Sequence, residues 1–333
     1  MKTGILLVNV GTPDDPTPEK VKEYLDQFLM DPYVIDLPYP FRWFLVKKLI
    51  TPKRSHASSE AYKKIWTSRG SPLKFHTEDL VKKLANRLGD RFEVEFGMRY
   101  RNPSIGDGLS KLRGNSRIIT VPMYPQYSLS ATETCEIEVK REARTKKIDA
   151  PIKFLAPFYR DGDFISASAS LVKPYLDGAD HVLFSFHGLP EKQIKKMDES
   201  GSHCLKNSCC DVISSRNEKK CYRAQSFETA RLISRSLGLE PSRFSVSFQS
   251  RLDQKWIQPF TDDVLPALVK KGVKNLVVAC PSFTTDCLET IEEIGLRARA
   301  QFLEAGGRDL RLVPCLNSSD VWVEALAKMI QRN

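Results

Sequence analysis

The sequence has no apolar run long enough to cross a bilayer, no lysine- or arginine-rich block, and no G-x-G-x-x-G turn. The first absence excludes a helical membrane span, which needs about 20 consecutive apolar residues. The opening apolar run, Ile5 to Val10, is also too short for a signal sequence and leads into the acidic turn Thr12-Pro13-Asp14-Asp15, so a cytoplasmic chain is expected. The second absence argues against nucleic acid as a partner. The third argues against a nicotinamide or flavin enzyme, because Gly11 and Gly188 belong to no dinucleotide fingerprint. What is present is a chain of 333 residues, 41% hydrophobic and 28% charged, which excludes disorder and predicts two compact units. The net charge of +10 favours anionic partners: acidic headgroups, or a small carboxylated or phosphorylated ligand.

Short apolar runs alternate with amphipathic stretches: "GILLVNV" then "TPEKVKEYLDQFL", "RIITVPMY" then a helix from Glu136 to Lys147, "HVLFSFHG" then "FETARLISRSLGL", and "NLVVACPSF" then "DCLETIEEIGLRARAQFLEAGG". This alternation predicts an α/β fold with mostly parallel sheets. The second half repeats the first. "ILLVNVGTP" and "VLFSFHGLP" both end a strand in Gly-x-Pro, and "IITVPMY" and "LVVACPSF" both place a proline after the last apolar residues. Two similar α/β domains follow, each with a mostly parallel sheet. Ligands of open α/β sheets bind at the carboxyl ends of strands, and there His187 takes the place that Val10 holds in the first copy. Gly188 lets the chain turn close to a neighbour and Pro190 stops the strand, which leaves His187 at the lip of the sheet. A histidine with an ordinary hydrogen bond would read the same way.

The stretch "VVACPSFTTDCLETIEEI" carries a second group. A strand ends near Pro281, and a helix is expected from Thr285 or Asp286. Steps of three and four put Asp286, Glu289 and Glu293 on one face, with Glu292 at its edge and Ile291 and Ile294 opposite. Close carboxylates repel unless a cation or protons neutralise them. The plainer alternative is that Asp286 and Glu289 complement the helix N-terminus and the others are solvated. An imidazole and a carboxylate from two strand ends would suit Fe²⁺, and equally Zn²⁺ or Co²⁺.

"LFSFHGLP" with "CPSFTTDCLETIEEI" resembles the ferrochelatase family, as do "LLVNVGTP", "RGSPL", "YPQYS", "FQSR", "KWIQPFTDD" and "FLEAGG", in order along nearly the whole chain. The resemblance implies a lyase of haem biosynthesis that inserts Fe²⁺ into protoporphyrin IX or a close porphyrin, in a cleft between two Rossmann-like domains. It implies a first domain of residues 1–155 plus 316–333 and a second of 156–315. His187 and Glu289 would be the catalytic pair, with Glu293 one turn on relaying protons or guiding iron. Metallation must remove two pyrrole protons while Fe²⁺ loses water, work suited to an imidazole and a carboxylate. Val10 would face the other side of the ring. Lys53, Tyr62, Ser71 and Ser250 match substrate positions, with Tyr127 and Trp256 as further pocket residues. Where the family carries basic residues before Thr51-Pro52-Lys53, this chain has Leu49 and Ile50, so propionate recognition would differ in detail. "LPYPFRWFLVKKLI", residues 37–50, reads by pattern as a core helix; the resemblance makes it a hydrophobic lip that encloses the substrate and touches the membrane surface.

Four of eight cysteines, Cys204, Cys209, Cys210 and Cys221, lie in the polar insertion 198–225. In a reducing compartment this predicts metal ligation before disulfides, and the spacing leaves an iron–sulfur cluster and tetrahedral zinc both open, with His203 as a substitute ligand. The resemblance implies a 2Fe-2S cluster. Cys135, Cys280, Cys287 and Cys315 read as buried thiols. Two other classes of function remain: a haem- or metal-binding protein without turnover, and an iron–sulfur oxidoreductase.

Overall fold

The computed structural model describes residues 2–206 and 208–333, so Asn207 of the cysteine insertion lies outside the described residues. The chain divides into two compact units, one of Met1–Met123, Leu129–Ala156 and Ala327–Asn333, the other of Tyr124–Ser128 and Pro157–Leu326.

In the first unit four parallel strands, β1 (Thr3–Gly11), β2 (Phe92–Tyr100), β3 (Arg117–Pro122) and β4 (Ile152–Phe154), pair in the order β2-β1-β3-β4. A parallel sheet covered on both faces needs continuous apolar strands, and Ile5, Leu6, Leu7 and Val8 are all fully buried. Helices Pro18–Leu29 and Pro72–Leu88 each open on a proline, whose missing N–H has no intrahelical partner to lose. Gly11 ends β1 at φ +107°, where a Cβ would stand 1.9 Å from the Tyr100 carbonyl oxygen, so only glycine fits.

The segment 37–50 is not a core helix. Helix Tyr39–Phe44 runs through a π-helical stretch, Leu45–Ile50, into helix Thr51–Ile65. Tyr39, Phe41 and Phe44 are each more than half exposed, and Leu37, Trp43 and Leu49 are exposed as well. Only Val46 and Arg42 are buried within 39–49, Arg42 because it donates to the carbonyls of Ile35 and Leu37.

The second unit repeats the architecture. Its strands β5 (His181–His187), β6 (Phe244–Gln249), β7 (Asn275–Ala279) and β8 (Asp309–Leu312) are parallel in the order β6-β5-β7-β8. Leu183, Leu265, Leu276, Val278, Ile294 and Phe302 form one buried cluster behind it. A local detail repeats too: the Met98 N–H donates to the Pro103 carbonyl in one unit and the Phe248 N–H to the Pro259 carbonyl in the other, both at 2.7 Å. In an order of this kind the switch point lies between the first strand and the third. In the second unit that is between β5, which ends at His187, and β7, which feeds the segment carrying Glu289.

The segment after β7 departs from the expected α-helix. It turns through Pro281–Leu288 and then forms a π-helix, Glu289–Ala298, before helix Arg299–Glu304. Most π-helical elements are single-turn bulges, often at functional sites; this one is ten residues long.

Candidate functional site

His187 closes β5 with its neighbours specified on every side. Its backbone pairs with Gln249 of β6, while pairing with β7 ends three residues earlier, at Phe184 and Ala279. The ring nitrogen Nδ1 lies 2.5 Å from the Gly188 carbonyl oxygen. A carbonyl only accepts, so Nδ1 carries the proton and Nε2 is left with a free lone pair for a proton or a metal. Trp256 and Phe283 flank the ring at 6.3 and 6.2 Å between centroids. Gly188 is required by space rather than by a left-handed turn: a Cβ there would meet the Gln249 carbonyl oxygen at 2.7 Å and the Trp256 indole at 3.1 Å.

The carboxylates expected on one helix face, Asp286, Glu289 and Glu293, and Glu292 expected at its edge, separate into two pairs. Asp286 is buried and fully engaged, accepting from the Thr290 hydroxyl (2.9 Å), the Asn317 amide (2.7 Å) and the Cys315 N–H (3.2 Å). Glu292 is also buried and is bound by Arg297 at 2.8 Å. These two are structural.

Glu293 lies near both His187 and Glu289. The Glu289 carbonyl accepts from Gln249 Nε2 at 2.7 Å, and its side chain is hydrogen-bonded by the Cys287 thiol, which burial keeps protonated. Glu293 takes both the N–H (2.7 Å) and the hydroxyl (2.5 Å) of Ser250. Burial raises the Glu293 carboxyl above the usual range; the Ser250 bonds and the His187 charge pull it down, and Glu289 pushes it up. His187, Glu289 and Glu293 therefore share one electrostatic environment at the carboxyl edge of the second sheet.

The substrate residues expected from the resemblance are placed as follows. Ser250 points at Glu293 from a left-handed backbone, φ 64°. Trp256 stands beside His187 and bridges to Pro190. Tyr127 is buried, with its N–H donated to Gln225. In the first unit Val10 is half-buried at the end of β1 and Lys53 is exposed. Tyr62 is buried edge-on to Tyr24 and Trp66, and Ser71 accepts the Thr12 hydroxyl at 2.8 Å. That unit also has a hollow of about 580 Å³ between helix Pro18–Leu29 and the lip. Its charges neutralise one another, Lys47 with Asp26 and Arg101 with Glu23. The supports of the His–Glu group, Ser282, Gln249 and Tyr222, have no signature in the sequence beyond Ser282 and Gln249 lying inside motifs already singled out.

The four thiols of the insertion touch in pairs. Cys209 and Cys210 sulfurs are 3.7 Å apart, and Cys221 lies close enough to Cys204 and Cys210 to influence both thiols. Asp198 organises the approach by accepting the N–H groups of Ser200, His203 and Cys204. The Cys221 thiol is pushed up to about 11, chiefly by Cys204; Cys210 is pushed further by Cys221 and burial, and Cys209 is raised by burial. Among the described residues no group of three or more His, Cys, Asp or Glu side chains is placed to hold a metal ion, these thiols included. Cys135, Cys280, Cys287 and Cys315 are buried thiols.

A sequence profile described as ferrochelatase matches residues 2–333. Ferrochelatase of Pseudomonas fluorescens (strain Pf0-1) is 46% identical over 98% of this chain and 97% of its own. Ferrochelatase of Legionella pneumophila (strain Lens) is 42% identical over 99% of both chains, and that of Coxiella burnetii (strain Dugway 5J108-111) is 44% identical over all of this chain and 94% of its own. Among solved structures, the sirohydrochlorin chelatase of Bacillus subtilis subspecies spizizenii in complex with cobalt shares the fold at a TM-score of 0.54 and 14% identity, over 100% of this chain and 95% of that one. With this agreement along its full described length, the chain belongs to the ferrochelatase family.

Proposed function

We propose that this protein inserts Fe²⁺ into protoporphyrin IX or a close porphyrin, with His187 and Glu289 acting on one face of the ring. The observation that carries the reading is the His187 ring, whose Nδ1–H is held by the Gly188 carbonyl so that Nε2 keeps its lone pair, with Glu293 near both the ring and Glu289. The reaction exchanges two pyrrole N–H protons for one Fe²⁺, so the site must accept protons and offset the cation as it sheds water. Nε2 takes each of the two protons in turn. Glu293, whose raised affinity for a proton follows from its burial, passes each outward, and the Glu289 carboxylate balances the arriving charge. Trp256 and Phe283 beside the imidazole supply apolar walls suited to a flat ring.

Lys53, Tyr62, Ser71, Ser250, Tyr127 and Val10 are assigned to the substrate by family resemblance, and the bonds already made by Ser250 and Ser71 mean that porphyrin binding would have to share them. The exposed lip, with Phe41, Phe44 and Leu49 beside exposed Lys48, fits shallow insertion into an anionic membrane surface. No helix among the described residues is long and apolar enough to cross one. Cys204, Cys209, Cys210 and Cys221 would hold a 2Fe-2S cluster, which supplies one-electron redox chemistry when bound.

Anaerobic Fe²⁺ and protoporphyrin, followed at the Soret band, test the reading. Many turnovers per protein are expected; a single stoichiometric spectral change would instead mean a binding protein. Charge-transfer bands in the visible spectrum of protein as purified are expected from the cluster, and a colourless protein with stoichiometric zinc would replace it.

A further inference from the structure

The backbone of His187 is not held by strands on the side of β7. Pairing with β7 has already ended, and a buried peptide group without a partner is costly. Two side chains take over. The His187 N–H donates to the Ser282 hydroxyl oxygen at 3.1 Å, and the Tyr222 hydroxyl donates to the His187 carbonyl at 2.8 Å. The Ser282 hydroxyl also lies near that of Tyr222, so the His187 N–H and carbonyl are each held by one of two neighbouring side chains.

Tyr222 is buried and is the first residue of helix Tyr222–Ser236. The residue before it is Cys221, whose sulfur caps that helix by accepting the Ala224 N–H at 3.5 Å. A shift of Cys221 therefore moves the tyrosine by one peptide unit, and the tyrosine ends on the histidine.

We infer that Tyr222 and Ser282 are positioning residues that hold His187 through its own peptide groups, and that Tyr222 extends this support to Cys221, tying the thiol segment to metal insertion. The orientation of the peptide matters because the Nδ1–H bond runs to the next carbonyl, that of Gly188: rotating the His187 backbone breaks the bond that leaves Nε2 free. Supports of this kind around a metal-handling histidine are typically worth 10- to 100-fold. This inference rests on His187 being the reacting imidazole.

The test uses the full chain labelled with ¹⁵N-histidine, with steady-state iron insertion measured in parallel. Tyr222→Phe removes one hydroxyl and keeps the ring, so the fold survives. It is expected to lower kcat about tenfold with the porphyrin KM within about twofold, and to turn the single His187 Nδ1–H tautomer signal into a mixture. Ser282→Ala is expected to do the same, and the double variant to fall short of the sum of the two because both side chains hold the same residue. Cys221→Ala is expected to shift the His187 signal in the same direction. Unchanged kcat and an unchanged tautomer signal in Tyr222→Phe would overturn the positioning role, and an unmoved His187 signal in Cys221→Ala would overturn the link to the thiols. Should His187→Ala itself turn over normally, the reading of the active site falls; should it be inactive while Tyr222→Phe matches wild type, only the present inference falls.

Discussion

Ser250 offers a perturbation whose two effects can be separated. It sits at φ 64°, where a side chain costs about 1–2 kcal/mol relative to glycine, and it gives Glu293 two hydrogen bonds, one from its N–H and one from its hydroxyl. Ser250→Ala removes the hydroxyl and keeps the strain, losing a bond to a charged group worth about 1.5–3 kcal/mol. Ser250→Gly loses the same bond and relieves the strain, so it is expected to be about 1 kcal/mol more stable than the alanine variant by urea denaturation. Both variants act alike on protonation. The lost bond favoured the charged form of Glu293, so its carboxyl, already raised by burial, rises further. A carboxyl raised in the folded state adds stability below its unfolded pKa, and that stability is lost as pH climbs through the folded value. The variants should therefore lose more stability on the alkaline side of the carboxylate range than wild type. The acid limb of kcat/KM should also move to higher pH, because Glu293 relays protons as a carboxylate. Both limbs are read from initial rates of anaerobic iron insertion across pH. An acid limb that stays in place in both variants would refute the role given to Glu293.

Asp286→Ala is expected to cost about 3 kcal/mol or more in denaturant midpoint, because it strips three donors of a buried partner; a loss below 1 kcal/mol would contradict its structural role. Phe41→Ser with Phe44→Ser is expected to weaken sedimentation with anionic vesicles severalfold at constant salt, and unchanged sedimentation would remove the lip from membrane contact. Trp322→Ala, which empties a fully buried site against Phe158 and Phe164, is expected to destabilise by about 3–5 kcal/mol, measured by the same denaturation.

The parallel strands were legible because burial on both faces forces unbroken apolar runs, and each ends in its own turn chemistry. "HVLFSFHGLP" shows its histidine at a strand end for that reason. The helix after Pro281 was legible as helical but not as π-helical: apolar residues such as Ile294 and Ala298, four apart and both buried, satisfy a turn of either width. The carboxylate ladder misled for a related reason. Periodicity places residues on faces, but it cannot show that Asn317 and Cys315 arrive from the loop after β8 to hold Asp286, or that Arg297 covers Glu292. Segment 37–50 has the apolar content of a core helix, and only the tertiary structure shows that most of its large side chains have nothing packed over them. Tyr222 was invisible as a support because its partner lies 35 residues away in sequence and the contact is to a backbone carbonyl, which no residue pattern encodes. The adjacent Cys209 and Cys210 look badly placed for one centre, yet the backbone at Ser208 is left-handed, φ 54°, and both sulfurs end up within 3.7 Å.

The most direct measurement is anaerobic Fe²⁺ insertion by wild type, His187→Ala and Glu289→Gln, each matched by circular dichroism to confirm the fold. The account predicts turnover that collapses in both variants while their spectra overlay that of wild type. Equal rates in all three would contradict it.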